Sequence, residues 1–233
     1  YFDGVGSGTG SSAVQGGTIT NVKANNWRND GIYLISSSNN TLTGNTAQGN
    51  TNGIYLLSSS NNTLTGNTAQ GNGNSGIFLF SSSSNNTITG NTTQGNGGSG
   101  IYLNSSSNNT ITGNTAQGNT NYGIYLSSSS NNTLTSNTAQ GNANYGIFLF
   151  SSSNNTITGN TAQGNTSTGI YLSSSSNNNT VSGNKLHDNG GATDNNGIYI
   201  DTSDSNTITG NSITDTSCTT TCYAINIFNS TSD

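Results

Sequence analysis

Gly31-Ile32-Tyr33-Leu34-Ile35-Ser36-Ser37-Ser38-Asn39-Asn40-Thr41-Leu42-Thr43-Gly44-Asn45-Thr46-Ala47-Gln48-Gly49-Asn50 is one copy of a unit that fills almost the whole chain. The unit reads G-I-[YF]-L-x-S-S-S-N-N-T-[LI]-T-G-N-T-A-Q-G-N-x-x and recurs in nine near-copies of 22–24 residues. Its Gly-Ile start falls at Gly31, Gly53, Gly76, Gly100, Gly123, Gly146, Gly169 and Gly197, at intervals of 22, 23, 24, 23, 23, 23 and 28. A weaker last copy begins near Ala224, and Gly17-Thr18-Ile19-Thr20-Asn21 matches the second half of a unit. A fixed period of this size is the signature of a solenoid or an array.

Within the unit, short alternating runs of β-branched and aromatic residues are punctuated by Gly and Asn, which is strand rather than helix grammar. Alternation along a strand puts Ile32 and Leu34 on one face and Tyr33 on the other. By the same rule Leu42 points one way and Thr41 and Thr43 the other, while Asn45 and Ala47 point inward. Three short strands per coil predict an all-β, single-stranded, right-handed parallel β-helix with corners at 36–40, Gly44 and Gly49-Asn50. Asn and Gly suit those corners because they tolerate left-handed backbone. Nine coils at about 4.8 Å each predict a rod roughly 40–50 Å long. Like residues then stack on like. Asn45, Asn67, Asn91, Asn114, Asn137, Asn160, Asn184 and Asn211 are expected to form an internal ladder, each amide bonding to the coils above and below. A leucine-rich repeat has a similar period, but the Ser/Asn runs do not supply its L-x-x-L-x-L pattern or convex segment.

Composition narrows the function classes. Charged residues are 5% of the 233, there is no Glu, and the net charge of -5 rests on eight Asp against Lys23, Arg28 and Lys185. Nucleic acid is not an expected partner, since phosphate neutralisation needs clustered bases. No apolar run approaches the roughly 20 residues of a membrane span. The chain opens on Tyr1 and has no Met, which reads as removal of an N-terminal segment and hence secretion to the cell surface or beyond. Cys218 and Cys222 then read as a small disulfide loop. Residues 1–16 are expected to be a flexible Gly/Ser-rich arm, and 17–233 the β-helix, with coils that diverge from about residue 184.

The run N-N-T-[LI]-T-G-N-T followed by G-I-Y-L resembles the right-handed parallel β-helix repeats of the NosD-type and carbohydrate-binding/sugar-hydrolase superfamily, found in archaeal and bacterial cell-surface proteins. The resemblance covers roughly Thr18 to Phe228 and implies the fold rather than an activity, since function lives in sites grafted on folds. Sugar hydrolases of that kind need paired carboxylates, and carboxylates are absent from Ala47 to Lys185. Asp188, Asp194, Asp201, Asp204 and Asp215, with Lys185 and His187 nearby, are the only candidates. Their bland reading is solvating charge or a calcium site. The polygalacturonase motifs are missing, and copper binding is unsupported with a single His and no Met. No catalytic residue, resident metal or cofactor is expected.

Outward columns carry the remaining expectations. Tyr33, Tyr55, Phe78, Tyr102, Tyr125, Phe148, Tyr171 and Tyr199 form an exposed aromatic stripe, either a contact surface or rings that stabilise the sheet. The T-x-T pairs, such as Thr41/Thr43, resemble the threonine arrays of β-helical ice-binding proteins. N-x-[ST] sequons at Asn39, Asn61, Asn85, Asn108, Asn131, Asn154 and Asn178 are candidate glycan acceptors along one edge. No capping helix is apparent, so Tyr1, Phe2, Ile225, Ile227 and Phe228 are read as self-association residues. The expected function is a non-enzymatic, self-associating surface or adhesive protein polymerising end to end into an extracellular filament. A module binding carbohydrate through the aromatic stripe, or ice through the Thr array, is the alternative. A polysaccharide-acting enzyme comes last.

Overall fold

The structure, a computed structural model, describes residues 2–3, 15–190, 195–216, 218 and 221–230. Tyr1, residues 4–14 of the arm and Asp194 lie outside the described residues. Each coil gives one strand to each of three parallel sheets of ten, nine and nine strands. The Gly-Ile segment supplies the first sheet (Ile32–Ile35, Ile54–Leu57 and their successors). The T-[LI]-T segment supplies the second (Thr41–Thr43) and T-A-Q the third (Thr46–Gln48). The coils wind as a right-handed β-solenoid, as expected. Phe2–Asp3 adds a strand to the outer edge of the first sheet, with Phe2 opposite Leu34 of its own chain.

Register sets like on like: Ile77 pairs with Ile101 and Phe78 with Tyr102, Ile88 with Ile111, and Ala116 with Ala139. The interior is therefore filled by columns of Ile, Leu and Ala, with Leu34, Leu56, Leu79, Leu103, Leu126, Leu149 and Leu172 all fully buried. Corners fall where left-handed backbone is tolerated: Ser36, Asn39, Gly44 and Gly49 in the first complete coil have φ of 49, 60, 63 and 67°. The glycine opening each unit has a different cause. A Cβ on Gly53 would meet the Gly76 carbonyl oxygen at 2.5 Å and the Ala69 Cβ at 2.6 Å, so the chain can cross the small-residue column only without a side chain.

The internal asparagine ladder is present and has two companions. Beside the column through Asn45 run one through Asn40, Asn62, Asn86, Asn109, Asn132, Asn155, Asn179 and Asn206, and one through Asn50, Asn72, Asn96, Asn119, Asn142, Asn165 and Asn189. Asn114 shows the pattern. Its Oδ1 accepts from the Asn91 backbone N–H at 2.9 Å and from Asn91 Nδ2 at 3.0 Å, and its own Nδ2 donates to the Ile88 carbonyl at 2.8 Å. At each corner the amide replaces a strand partner for an inward N–H, so no buried donor is left over.

At the far end the strand Cys222–Phe228 closes the first sheet, and Ile225, Ile227 and Phe228 are exposed. Among the described residues no helix is long and apolar enough to cross a membrane.

Replacing Asn114 by Ala orphans two donors and one acceptor in the interior, and each unpaired buried group costs roughly 1–3 kcal/mol. Urea unfolding of Asn114→Ala is expected to show a loss of about 3–5 kcal/mol. Asn108→Gly, at an exposed corner with φ of 59°, is expected to stay within about 0.5 kcal/mol of the parent.

Candidate functional site

The outward residues of the first sheet form one continuous stack of eight rings. Centroid separations from Tyr33 to Tyr199 run 5.0, 4.9, 4.8, 4.6, 5.0, 5.0 and 4.8 Å, with interplanar angles of 7–17°. The stripe was expected to be exposed. It is half-buried instead, and Phe148 is buried at 7%. The cause is geometric: coil spacing of about 4.8 Å matches the contact distance of stacked rings. Each face is covered by the next ring, and only ring edges and hydroxyls remain at the surface.

Burial has an electrostatic consequence. It raises the Tyr55 phenol to about 12, helped by the neighbouring Tyr33 and Asp30. Burial likewise pushes Tyr122, Tyr125 and Tyr171 above the ordinary phenol range. These four hydroxyls are held in the neutral, donating form.

Tyr122 and Tyr145 belong to this face and were missed. They stand just before the unit glycine, in a corner column that reads Asp30, Asn52, Ser75, Ser99, Tyr122, Tyr145, Thr168 and Asn196. Their rings stack on each other at 5.4 Å and tilt against Tyr125 and Phe148 at 4.9 and 5.1 Å. Large residues in mid-column and small ones on either side leave a ridge between two clefts.

The cleft on the N-terminal side of the ridge is about 340 Å³ and is lined by Trp27, Arg28, Asn29, Asp30, Gly31 and Tyr33. Trp27 occupies the position that Asn50 and Asn72 hold in later coils. Its backbone N–H still donates to Asn50 Oδ1 at 2.8 Å, so the ladder is kept while the indole turns outward, 63% exposed. Asp30 Oδ1 accepts from the Asn52 backbone N–H at 3.1 Å and from Asn52 Nδ2 at 2.8 Å. That fixes the carboxylate and leaves Oδ2 for another donor. From Gly31 to Asn184 the sequence has no Asp, Glu, Lys, Arg or His, so Arg28 and Asp30 are the charged groups nearest the aromatic column on this side. The signal for Trp27 was its being the single Trp, in place of a ladder residue. On the C-terminal side a cleft of about 270 Å³ is lined by Tyr145, Ser167, Thr168, Asn196, Tyr199 and Asn226.

Asp188 and Asp201, two described acidic residues of the last coils, engage different partners. Asp188 Oδ1 accepts from the Thr216 backbone N–H at 2.9 Å and its hydroxyl at 2.8 Å, while Oδ2 lies 3.4 Å from His187 Nδ1. The Thr216 bonds, with His187 behind them, hold the Asp188 carboxyl below the usual carboxylate range. Asp201 Oδ2 accepts from the Tyr171 hydroxyl at 3.5 Å. Among the described residues the one cluster of metal-ligating type is Asp215 with Cys218 and Cys222. Those two sulfurs are joined in the expected disulfide. The sequon residues Asn39, Asn61, Asn85, Asn108, Asn131, Asn154 and Asn178 are all exposed along one corner. The T-x-T pairs lie in register across the second sheet.

The chain belongs to the right-handed β-helix family: the family description, a right-handed beta helix region, matches residues 3–138 and 95–233. No curated protein matches the sequence. Among solved structures, the periplasmic alginate epimerase AlgG is similar with a TM-score of 0.80 at 23% identity, over 87% of this chain and 51% of that one. The A-module of the Azotobacter vinelandii mannuronan C-5 epimerase AlgE4 gives 0.64 at 16% identity, over 97% and 82%. The Dettilon tailspike protein gives 0.73 at 18% identity, over 93% and 54%. This chain spans about half the length of AlgG. At these identities the likeness is one of fold. The expectation of an end-to-end filament subunit is corrected here: the similar structures are alginate epimerases and a tailspike protein, none named as a filament subunit.

A phenol raised by burial is protonated more readily in the folded state than in the unfolded one. The stability it contributes is present below about pH 10 and lost as pH rises through about 12. Thermal unfolding midpoints measured across that interval are expected to fall for the parent and to fall less steeply for Tyr55→Phe.

Proposed function

We propose that this chain is a carbohydrate-binding β-helix of the cell surface or extracellular space, and that Trp27, Arg28 and Asp30 are its main contact. The observation carrying this reading is the N-terminal cleft. It combines an outward indole face, a fixed carboxylate and a guanidinium. Sugars demand that combination: an apolar platform for the C–H face of the ring, an acceptor for hydroxyl pairs, and a planar donor. The eight-ring column supplies an edge of hydroxyls along which further sugar units lie. Its hidden ring faces make it a rail rather than a row of stacking platforms.

Binding is favoured over catalysis by the same lining. Among the described residues that line the cleft, Asp30 is the one carboxylate, with no histidine or lysine beside it. Hydrolysis or epimerisation of a sugar needs a proton acceptor and a proton donor placed on the reacting unit. The similarity to alginate epimerases supports carbohydrate as the ligand class, and the periplasmic setting of AlgG supports a location outside the cytoplasm.

Affinity electrophoresis through gels containing neutral and acidic polysaccharides tests the reading. At least one polymer is expected to retard the parent. Trp27→Ala is expected to weaken that retention about tenfold or more, the range of an aromatic anchor, and Asp30→Asn to weaken it by a smaller factor. Tyr125→Phe, which removes one hydroxyl of the rail, is expected to weaken it less than either. Equal migration of the parent and Trp27→Ala in every gel would discard the assignment.

A further inference from the structure

The second cleft holds the single discordant polar group of the interior. Asn196 is 7% exposed, and its Oδ1 is the one buried side-chain polar atom among the described residues without a hydrogen-bond partner. Asn52, six positions earlier in the same column, shows how an asparagine at this place is otherwise paired. Asn52 Oδ1 accepts from the Ser75 backbone N–H at 3.2 Å, and its Nδ2 donates to Asp30 at 2.8 Å. Elsewhere three ladders saturate every buried amide. A lone unpaired carbonyl in the interior is destabilising and calls for an explanation.

The surroundings define what would pair with it. Among the described residues the cleft wall is made of hydroxyls, amides and ring edges from Tyr145, Ser167, Thr168, Tyr199 and Asn226, none of them charged. Oδ1 itself is sealed from solvent, so a ligand meets it only when the amide turns toward the cleft, and a neutral hydroxyl, both donor and acceptor, suits the amide in either orientation. A charged ligand would find no counter-charge there. Position adds a second constraint. Asp30 and Asn196 occupy the same corner column seven coils apart, so the two clefts lie about 34 Å from each other along one aromatic rail.

We infer that Asn196 is a second sugar contact, one that takes the hydroxyl of a neutral glycosyl unit belonging to the same polysaccharide chain that Trp27 anchors. The inference rests on the carbohydrate reading above and deepens it. The site holds one end of a long chain, the Trp27 cleft holds the other, and a short oligosaccharide reaches only one of them. Linking two contacts makes the second binding step intramolecular and raises the affinity for chains long enough to span both.

Calorimetric titration with a soluble galactomannan, and with neutral oligosaccharides of two and about eight units cut from it, tests the inference; eight units is the length needed to cover the spacing. Asn196→Leu is expected to bind the disaccharide as the parent does and the long chains about tenfold more weakly. Without sugar its urea midpoint is expected to equal or exceed the parent's, because an unpaired amide has been replaced by an apolar group. A destabilised but long-chain-competent Asn196→Leu, or parental affinity for both lengths, would overturn the assignment of Asn196 and leave the Trp27 reading standing. Loss of disaccharide binding in Trp27→Ala is the control for that reading. No binding of any of these sugars by the parent would overturn the neutral-glycan inference, whereas retention of acidic polymers in the gels would still uphold the Trp27 cleft.

Discussion

The asparagine amide at each corner is the interaction on which this structure depends. A three-sided coil of 22–24 residues must turn three times, and each turn sends backbone N–H groups inward where no strand can meet them. An amide is the smallest side chain that offers an acceptor for the coil before it and a donor for a carbonyl further back, in one plane parallel to the rod. Because Asn40, Asn45 and Asn50 stand five residues apart, the ladders fix both the positions of the corners and the register of the coils. A slip of one residue would break all three and turn every inward Ile or Leu outward. The repeat is thus held to near-identity by hydrogen bonding as much as by packing.

The same constraint shapes the surface. In-register stacking brings each outward residue against its copy at the strand spacing. For threonines this leaves an open array; for aromatic rings it closes the faces. The tyrosine column is a product of the register. A ring regains an exposed face only by leaving the register, as Trp27 does by standing in a ladder position with its side chain reversed. Tyr122 and Tyr145 leave it differently, by rising from a corner, and so divide one long face into two clefts.

Much of this was legible in the sequence. Period and alternation gave the sheets, the core columns and the Asn45 ladder, because Asn45 shares a face with Ala47 by strand geometry. The ladders through Asn40 and Asn50 escaped because both residues were read as parts of corners, 36–40 and Gly49-Asn50, where Asn is explained by its backbone tolerance alone and no strand alternation assigns its side chain a direction. The identity of the aromatic column was legible, but its closed faces were not, because that depends on comparing ring thickness with coil spacing. The acidic last coils misled in the opposite way. Asp188, Asp201 and Asp215 cluster in sequence, yet they fall on different elements, and Asp188 is engaged with Thr216.

In a chain this regular, conformity and function occupy different residues. A position that repeats in every coil is explained by what repeats, namely hydrogen bonding, packing and turn geometry, and identical environments cannot select one ligand group at one place. Recognition needs an asymmetric set of donors, acceptors and apolar surface. Here such sets arise where the unit is broken: an indole for an amide at Trp27, a carboxylate at Asp30, phenols at Tyr122 and Tyr145, and an unpaired amide at Asn196. All of them lie on or beside one corner column flanking one aromatic rail. Other breaks, such as Thr93 for Ala, Ser136 for Gly and Lys185 for Thr, fall on the other sheets and corners. The line beside the aromatic rail is the one that sets an indole, a carboxylate and phenols against a common face, and that is the physical reason to propose it as the working surface of the rod.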